Sequence, residues 1–284
     1  MGHCESAATC QKCHSDSSRP ICLQGEKEVI EFTGQDTQTE PAGRDKSAVV
    51  LDNGTVYIGQ WQDTQRQGHG ILRGPGKSKY EGQWLSDARH GQGRLEQENG
   101  DFYEGYWRAD KEHGYGLYVR PDGSKYDGQW ENGKQHGTGA ETWSDGASYE
   151  GQYRCGVKTG TGIFLWMDGS KYEGEFKLNE INGKGSYSWS DGRHYCGQWA
   201  NNQMHGDGTF AFADGRVYEG QYVRDAKQGS GVLRWPDGGQ YKGNFRAGKP
   251  DGLGVFTPAG GKPQSGTWQN GRMVSKKAEA DAEP

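Results

Sequence analysis

A chain of 284 residues with only 31% apolar side chains, but 12% aromatic ones and 49 glycines, has too few aliphatics for a large Leu/Val/Ile core. Its formal net charge of -5 gives no long-range attraction to nucleic acid or to an anionic membrane. No apolar run reaches the roughly 18 residues of a membrane helix, and the polar start lacks the apolar stretch of a signal peptide. The expectation is a cytosolic or otherwise intracellular protein.

In chain order, the first feature is Met1-Gly2-His3-Cys4-Glu5-Ser6, which matches an N-myristoylation pattern with Ser at the required place. Cys4 beside it is a candidate for palmitoylation, and two acyl chains anchor where one does not. The competing reading is a coincidental match. Cys10-x-x-Cys13 followed by His14 offers part of a zinc site, but the second half of a standard site is missing, so no metal or other cofactor is assigned. Val29–Phe32 is a candidate short strand or a segment that binds along a neighbour, and Thr33–Lys46 is polar and turn-prone. Residues 1–46 are therefore read as a non-repeat, largely extended segment.

From residue 47 to 272 the chain is periodic. Steps of 23 from Tyr57 reach Tyr80, Tyr103, Tyr126, Tyr149, Tyr172, Tyr195, Tyr218 and Tyr241, and then Gln264. Two residues after each lies a glycine: Gly59, Gly82, Gly105, Gly128, Gly151, Gly174, Gly197, Gly220, Gly243 and Gly266. Four residues after each lies a ring: Trp61, Trp84, Trp107, Trp130, Tyr153, Phe176, Trp199, Tyr222, Phe245 and Trp268. A glycine pair follows in most units, as Gly137/Gly139 and Gly160/Gly162, and Asp-Gly or Asn-Gly closes most of them, as Asp145-Gly146 and Asn99-Gly100.

Such a period calls for a structure in which each unit packs on its neighbours. In Tyr126-Asp-Gly-Gln-Trp130 the alternation places Tyr126, Gly128 and Trp130 on one face and Asp127 and Gln129 on the other. The following segment alternates too, and puts a second set of rings on the glycine face: Trp143, Phe164, Trp166, Tyr187, Trp189, Phe210, Phe212 and Trp235. Asp-Gly and Asn-Gly predict tight hairpins, whereas Glu131-Asn-Gly-Lys-Gln-His136 predicts a longer polar turn. Glycine on the ring face leaves room for rings to lie over bare backbone. The predicted fold is all-β: an elongated, single-layer antiparallel meander of tandem 23-residue hairpins, a twisted rod or trough. About 19 strands at ~4.8 Å spacing give an array roughly 85–90 Å long. Nine full units with partial units at the ends account for residues 47–272, and residues 273–284 form a charged tail.

These motifs resemble the MORN (membrane occupation and recognition nexus) repeat: Tyr80-Glu-Gly-Gln-Trp84, Tyr149-Glu-Gly-Gln-Tyr153, Tyr172-Glu-Gly-Glu-Phe176 and His136-Gly-Thr-Gly139. The resemblance covers about three-quarters of the chain. It implies an elongated hairpin array serving as a scaffold, homodimer or tether, in ciliary axonemes, cytoskeletons or membrane junctions. A long array of this kind is similar to radial-spoke and cytoskeletal scaffold proteins of the family.

Several units depart from the pattern. Gly76-Lys77 stands where others have Asp-Gly, and Glu141 stands where its neighbours have a ring or leucine. His90, His113, His136 and His205 share one slot, which Gln67, Thr159, Asn182, Gln228 and Asp251 occupy in other units. These departures are read either as kinks and docking positions or as neutral change. One histidine per unit makes a row, not a convergent metal site, and the ring is expected to bond to backbone. Glu81, Glu104, Glu150, Glu173 and Glu219 likewise form a solvated ladder, not a catalytic pair. No phosphate loop, nucleophile elbow or HExxH occurs, and no enzyme is expected. Cys155 and Cys196 look unpaired.

Because no helical segment is available to cover the ring face, some rings are expected to stay exposed, to stack within a concave face or to meet another molecule, as in a homodimer or a groove gripping a partner's peptide or helix. The leading reading is a scaffold or docking module in a large protein assembly of the cilium, flagellum or cytoskeleton, with homodimerisation through array ends as a further option. The alternatives are an acylated membrane tether and a regulatory subunit of a separate enzyme.

Overall fold

The computed structural model describes residues 44–276, apart from Asp52 and Pro75. The sequence motifs at Gly2, Cys4, Cys10, Cys13, His14 and Val29–Phe32 lie outside the described residues. Those described form one open antiparallel sheet of 21 strands, from Arg44–Val50 to Arg272–Lys276, with no helix among them. Each strand pairs with its predecessor and successor in the chain. The strand count exceeds the expected 19 because the sheet is extended at both ends. It opens at Arg44, inside the segment read as non-repeat, and closes at Lys276, inside the segment read as tail.

The two turns of each unit exchange the roles expected of them. Asn132-Gly133, at the turn expected to be longer, is a two-residue hairpin with φ of 52° and 79°, joining Lys125–Glu131 directly to Lys134–Thr142. A two-residue loop follows the right-handed twist of its strands when both central residues have positive φ. Leu178-Asn179 and Arg224-Asp225 adopt the same form, at φ of 52°/67° and 49°/66°. The Asp-Gly turn is wider. Trp143 N–H donates to Ala147 O at 2.9 Å and Gly146 N–H to Trp143 O at 3.0 Å. Only Gly146 takes positive φ, 89°, while Asp145 Oδ1 accepts from Ala147 N–H at 2.9 Å. The aspartate is thus selected by its side-chain acceptor and the glycine by its backbone. At Gly76-Lys77 the positive φ moves to Gly76, yet Gly74 N–H still closes on Ser78 O, so the register continues undisturbed.

A bulge explains the first glycine of each pair. Gly128 faces Gly139 across the hairpin and Trp130 faces Gln135, so Gln129 alone stands opposite His136, Gly137 and Thr138. Gln129 Oε1 fills the gap in the ladder by accepting from Thr138 N–H at 2.9 Å. Gly137 sits at φ 60°, and a Cβ there would overlap the same Gln129 oxygen.

The second glycine holds the core. Each repeat tyrosine lies over a cross-strand glycine pair: Tyr126 over Gly128 and Gly139, where a Cβ on Gly139 would overlap the ring. Its hydroxyl donates to Gln129 O at 2.9 Å, the carbonyl at the bulge. The ring is 2% exposed and meets Trp130 edge-on at 5.1 Å and Tyr153 of the next unit at 5.2 Å. The pattern continues without a break from Tyr57–Trp61 to Tyr241–Trp268. A single-layer sheet thereby buries an aromatic core without a second layer. Burial of one such ring contributes roughly 2–3 kcal/mol, and edge-on pairing adds about 0.5–1.5 kcal/mol.

Candidate functional site

The repeat slots named from the sequence belong to this buried ladder. Tyr80, Tyr103, Tyr126, Tyr149, Tyr172, Tyr195 and Tyr218 are 0–2% exposed, and Trp84, Trp107 and Trp199 are 4%, 2% and 6% exposed. Trp107 Nε1 donates to Gly93 O and Trp130 Nε1 to Gly116 O, both at 2.9 Å, so even the indole N–H groups are used internally. Burial pushes the Tyr57 hydroxyl up to about 12, with Arg66 opposing and Asp87 reinforcing the shift. The glycines Gly82, Gly105, Gly128, Gly151, Gly174, Gly197 and Gly220 lie beneath these rings. This set is structural packing and leaves little ring surface for a partner.

The second set of rings forms a terrace beside the ladder, on the same face, because Phe164 faces Tyr149 and Tyr187 faces Tyr172 across their strands. Trp143 stacks on Phe164 at 5.3 Å, Phe164 meets Trp166 at 4.4 Å, and Trp166 meets Tyr187 at 4.9 Å. Tyr187 meets Trp189 at 4.4 Å, Trp189 meets Phe210 at 5.4 Å, and Phe210 meets Phe212 at 4.6 Å. Trp235 resumes the terrace against Phe256 at 5.9 Å, beyond the buried Leu233. All of these rings are partly exposed except Phe210, which is buried at 7%. Earlier units carry Leu72, Leu95 and Tyr118 at the first terrace position and Gly74, Gln97 and Arg120 at the second, so no two successive terrace positions hold rings before Trp143. The terrace therefore belongs to the C-terminal part of the array.

A third slot escaped the sequence analysis. Five residues after each ladder ring, the residue paired with that ring across the hairpin reaches over the same face. Arg66 lies 4.2 Å from the Trp84 ring and Arg89 4.3 Å from the Trp107 ring. Lys158 and Lys227 occupy the slot further on, and Ile181 fills it with a buried apolar side chain. The signal was present as a position 23 residues apart, but its residue types vary too widely to mark it. Glu141 is explained through this slot. Its carboxylate lies 2.8 Å from Lys158 Nζ, both side chains 14% exposed, and accepts from Tyr153 Oη at 3.1 Å.

The histidine slot contacts the next tight turn. His136 Nδ1 lies 3.5 Å from Cys155 N and 3.1 Å from Glu131 Oε2. Gln67, Gln228 and Asp251 accept from Ser86, Ala247 and Asn270 N–H at 3.0, 3.2 and 3.2 Å. Three of the departures at this slot thus preserve an acceptor for the next turn, whereas Asn182 accepts from Gly183 N–H. Among the described residues no three His, Cys, Asp or Glu side chains converge as metal ligands would.

On the opposite face, Glu81, Glu104 and Glu173 are exposed and paired with Lys79, Arg94 and Lys171 at 2.6–2.8 Å. A shallow depression of about 620 Å³ there is lined by Asp207, Thr209, Glu219, Val232, Arg234 and Lys242 among others. Its open, mixed lining contrasts with the contiguous rings of the terrace. Cys155 is an exposed free thiol, but Cys196 is buried at 5% and disulfide-bonded, contrary to the expectation that it is unpaired.

Comparison with known proteins returns a family model described as MORN repeat. It matches nine consecutive segments: 57–79, 80–102, 103–125, 126–148, 149–171, 172–192, 195–215, 218–240 and 241–261. No curated protein matches. Among solved structures, the SAS-4 (dCPAP) TCP domain of Drosophila melanogaster, in complex with a proline-rich motif of Ana2, is 12% identical. The match covers 63% of this chain and 90% of that one, with a TM-score of 0.35. The TCP10 domain of Danio rerio CPAP, in complex with a STIL peptide, is 13% identical over 81% of this chain and 98% of that one, with a TM-score of 0.27. Virginiamycin B lyase of Staphylococcus aureus is 11% identical over 79% and 84%, with a TM-score of 0.16. Overlaps this loose carry no functional information.

Proposed function

The chain belongs to the MORN repeat family, and from that premise we propose that it is a non-enzymatic scaffold that docks protein partners on its aromatic terrace. The observation that carries this reading is the unbroken ring series from Trp143 to Phe212, partly exposed at every ring but the buried Phe210. The ladder of Tyr57, Trp84, Tyr80 and Trp107 forms where the terrace positions hold Leu72, Gly74, Leu95 and Gln97, so the ladder itself does not depend on these additional rings. Contiguous exposed aromatic surface on a rigid sheet is the kind of patch that partners bury, and Trp and Tyr supply much of the energy at such interfaces. Family membership supports placing the scaffold in a large cytoskeletal assembly of the axonemal kind, within the cytoplasm, cilium or flagellum. Residues 47–272 act as the docking array in this reading, flanked by the segments 1–46 and 273–284.

The test is affinity purification of the full chain from its native cell followed by cross-linking, comparing the wild type with a Trp166→Ala/Trp189→Ala variant. Partners should cross-link near Trp166 and Trp189 and be lost from the variant, while the variant keeps its β circular dichroism. Cross-links confined to the two terminal segments, with binding intact in the variant, would exclude docking on the terrace.

A further inference from the structure

Two units three repeats apart carry the same uncommon pair. Tyr153 and Lys158 occur in one, Tyr222 and Lys227 in the other, with tyrosine at the slot where most units have Trp or Phe. Beside the first pair, Glu141 of the preceding unit completes the set, and its carboxylate contacts both Lys158 Nζ, at 2.8 Å, and Tyr153 Oη, at 3.1 Å. Beside the second pair, the position of Glu141 is taken by Phe210 of the preceding unit.

The lysines are otherwise placed alike. Lys158 Nζ lies 4.8 Å from the Trp143 ring and 5.0 Å from the Tyr149 ring. Lys227 Nζ lies 4.5 Å from Phe212 and 5.2 Å from Tyr218. No carboxylate pairs with Lys227 among the described residues, and Tyr222 Oη is buried with no hydrogen-bond partner among them. Arg216 lies 4.8 Å from the same Phe212 ring, with its own partner Asp214 at 2.8 Å. Burial lowers the Lys227 pKa, and Arg216 adds to the effect. The slot does not require a charge, since the two intervening units fill it with Ile181 and Met204. A half-buried ammonium among rings is costly unless an anion meets it.

We propose that Lys227 anchors an acidic side chain of a partner polypeptide lying on the terrace, which supplies from outside the carboxylate that Glu141 supplies from within. The inference rests on the terrace being a docking face, and adds the charge its partner must carry. The flanking rings favour a carboxylate presented by a polypeptide over a free anion. Phe212 and Trp235 are partly exposed and take apolar cover, which a free anion does not provide. Lys227 thus sets position along the terrace, because rings alone tolerate sliding whereas one cation fixes one acid.

The experiment uses the full chain against random peptides displayed on phage, with selected peptides resynthesised and titrated calorimetrically. A photo-reactive group on each peptide maps where it lies. Wild-type selections should converge on Asp or Glu next to apolar residues, and Ala at that acid should weaken binding about tenfold or more. The same peptide change should have no further effect on Lys227→Gln, and Lys227→Glu should select Lys or Arg instead. Phe210→Glu recreates the Glu141 arrangement and should abolish the acid preference; if it does not fold, the two Lys227 variants still decide the matter. Peptides that label Trp189 or Trp235 without acid preference, or whose acid dependence survives Lys227→Gln, overturn the inference and leave terrace docking standing. If no selected peptide labels the terrace, both readings fall.

Discussion

The ring of Trp84 meets the ring of Tyr57 edge-on at 5.4 Å and 87°, and this contact crosses from one repeat to the next. Tyr57 also meets Trp61 of its own unit at 5.1 Å and 88°. Each tyrosine is therefore clasped between the ring of its own unit and that of the following one. Stability is consequently a nearest-neighbour property, and local damage should remain local.

Glycine substitutions should separate space from backbone. Gly93→Ala places a Cβ inside the Tyr80 ring, whereas Gly123→Ala, at φ 87° with nothing within 4 Å, meets only its backbone preference. The first change should cost about 3 kcal/mol or more, and the second about 1–2 kcal/mol. Hydrogen exchange resolved by unit should show the Gly93→Ala loss concentrated around Tyr80 and Trp107. Equal losses at the two sites would contradict the ring-over-glycine packing.

Glu141 and Lys158 should behave as a coupled pair. Glu141→Ala leaves a largely buried ammonium and the Tyr153 hydroxyl without their shared acceptor, and should cost about 3–5 kcal/mol. The triple change Glu141→Phe, Tyr153→Phe and Lys158→Ile copies the neighbouring set Phe164, Phe176 and Ile181. It should be neutral or stabilising, since well-packed apolar groups match buried ion pairs. Denaturant melts of both variants check this, and a triple variant as weak as Glu141→Ala would disprove the coupling.

Tight turns should tolerate glycine but not a branched side chain. Asn179 at φ 67° accepts from Lys158 N–H at 2.7 Å through its side chain and donates its own N–H to Lys158 O at 3.1 Å. Asn179→Gly loses only the side-chain acceptor, about 1 kcal/mol in this exposed position. Asn179→Val adds strain of about 1–2 kcal/mol at positive φ. Thermal melts should rank wild type above Gly above Val.

Alkaline pH should melt the array before its ladder tyrosines ionise in the folded state. Tyr57 titrates near 12 when folded against an ordinary value of 10.0, and burial pushes the other ladder tyrosines up as well. The folded state therefore keeps protons that the unfolded state releases, so stability is complete below about pH 10 and falls as pH rises through the folded values. Tyrosinate absorbance of the ladder should appear together with loss of β circular dichroism. Ladder ionisation in a chain that keeps its native spectrum would refute the assignment.

The two hairpins of each unit show where the sequence stops being legible. Asp145-Gly146 and Asn132-Gly133 both signal a turn, and both are turns. Which is tighter depends on φ at the residue before glycine, and that is set by the twist of the paired strands, which local composition does not encode. The bulge at Gly137 was likewise hidden, because the glycine pair advertised small size, not a left-handed backbone. The Lys158–Glu141 pair joins residues in adjacent hairpins whose alignment exists only in the sheet.

By itself the sequence determined the period, the antiparallel meander and the common face shared by Tyr126, Gly128 and Trp130. Strand geometry sends alternate side chains to opposite sides regardless of surroundings, so a fixed repeat settles the side. Only the tertiary structure decided depth: Tyr126 is buried and Trp166 is partly exposed, though both lie on that face. Trp130 lies in the same strand as Tyr126, but depth depends also on what the next unit places alongside, and Tyr153 arrives only when successive hairpins align.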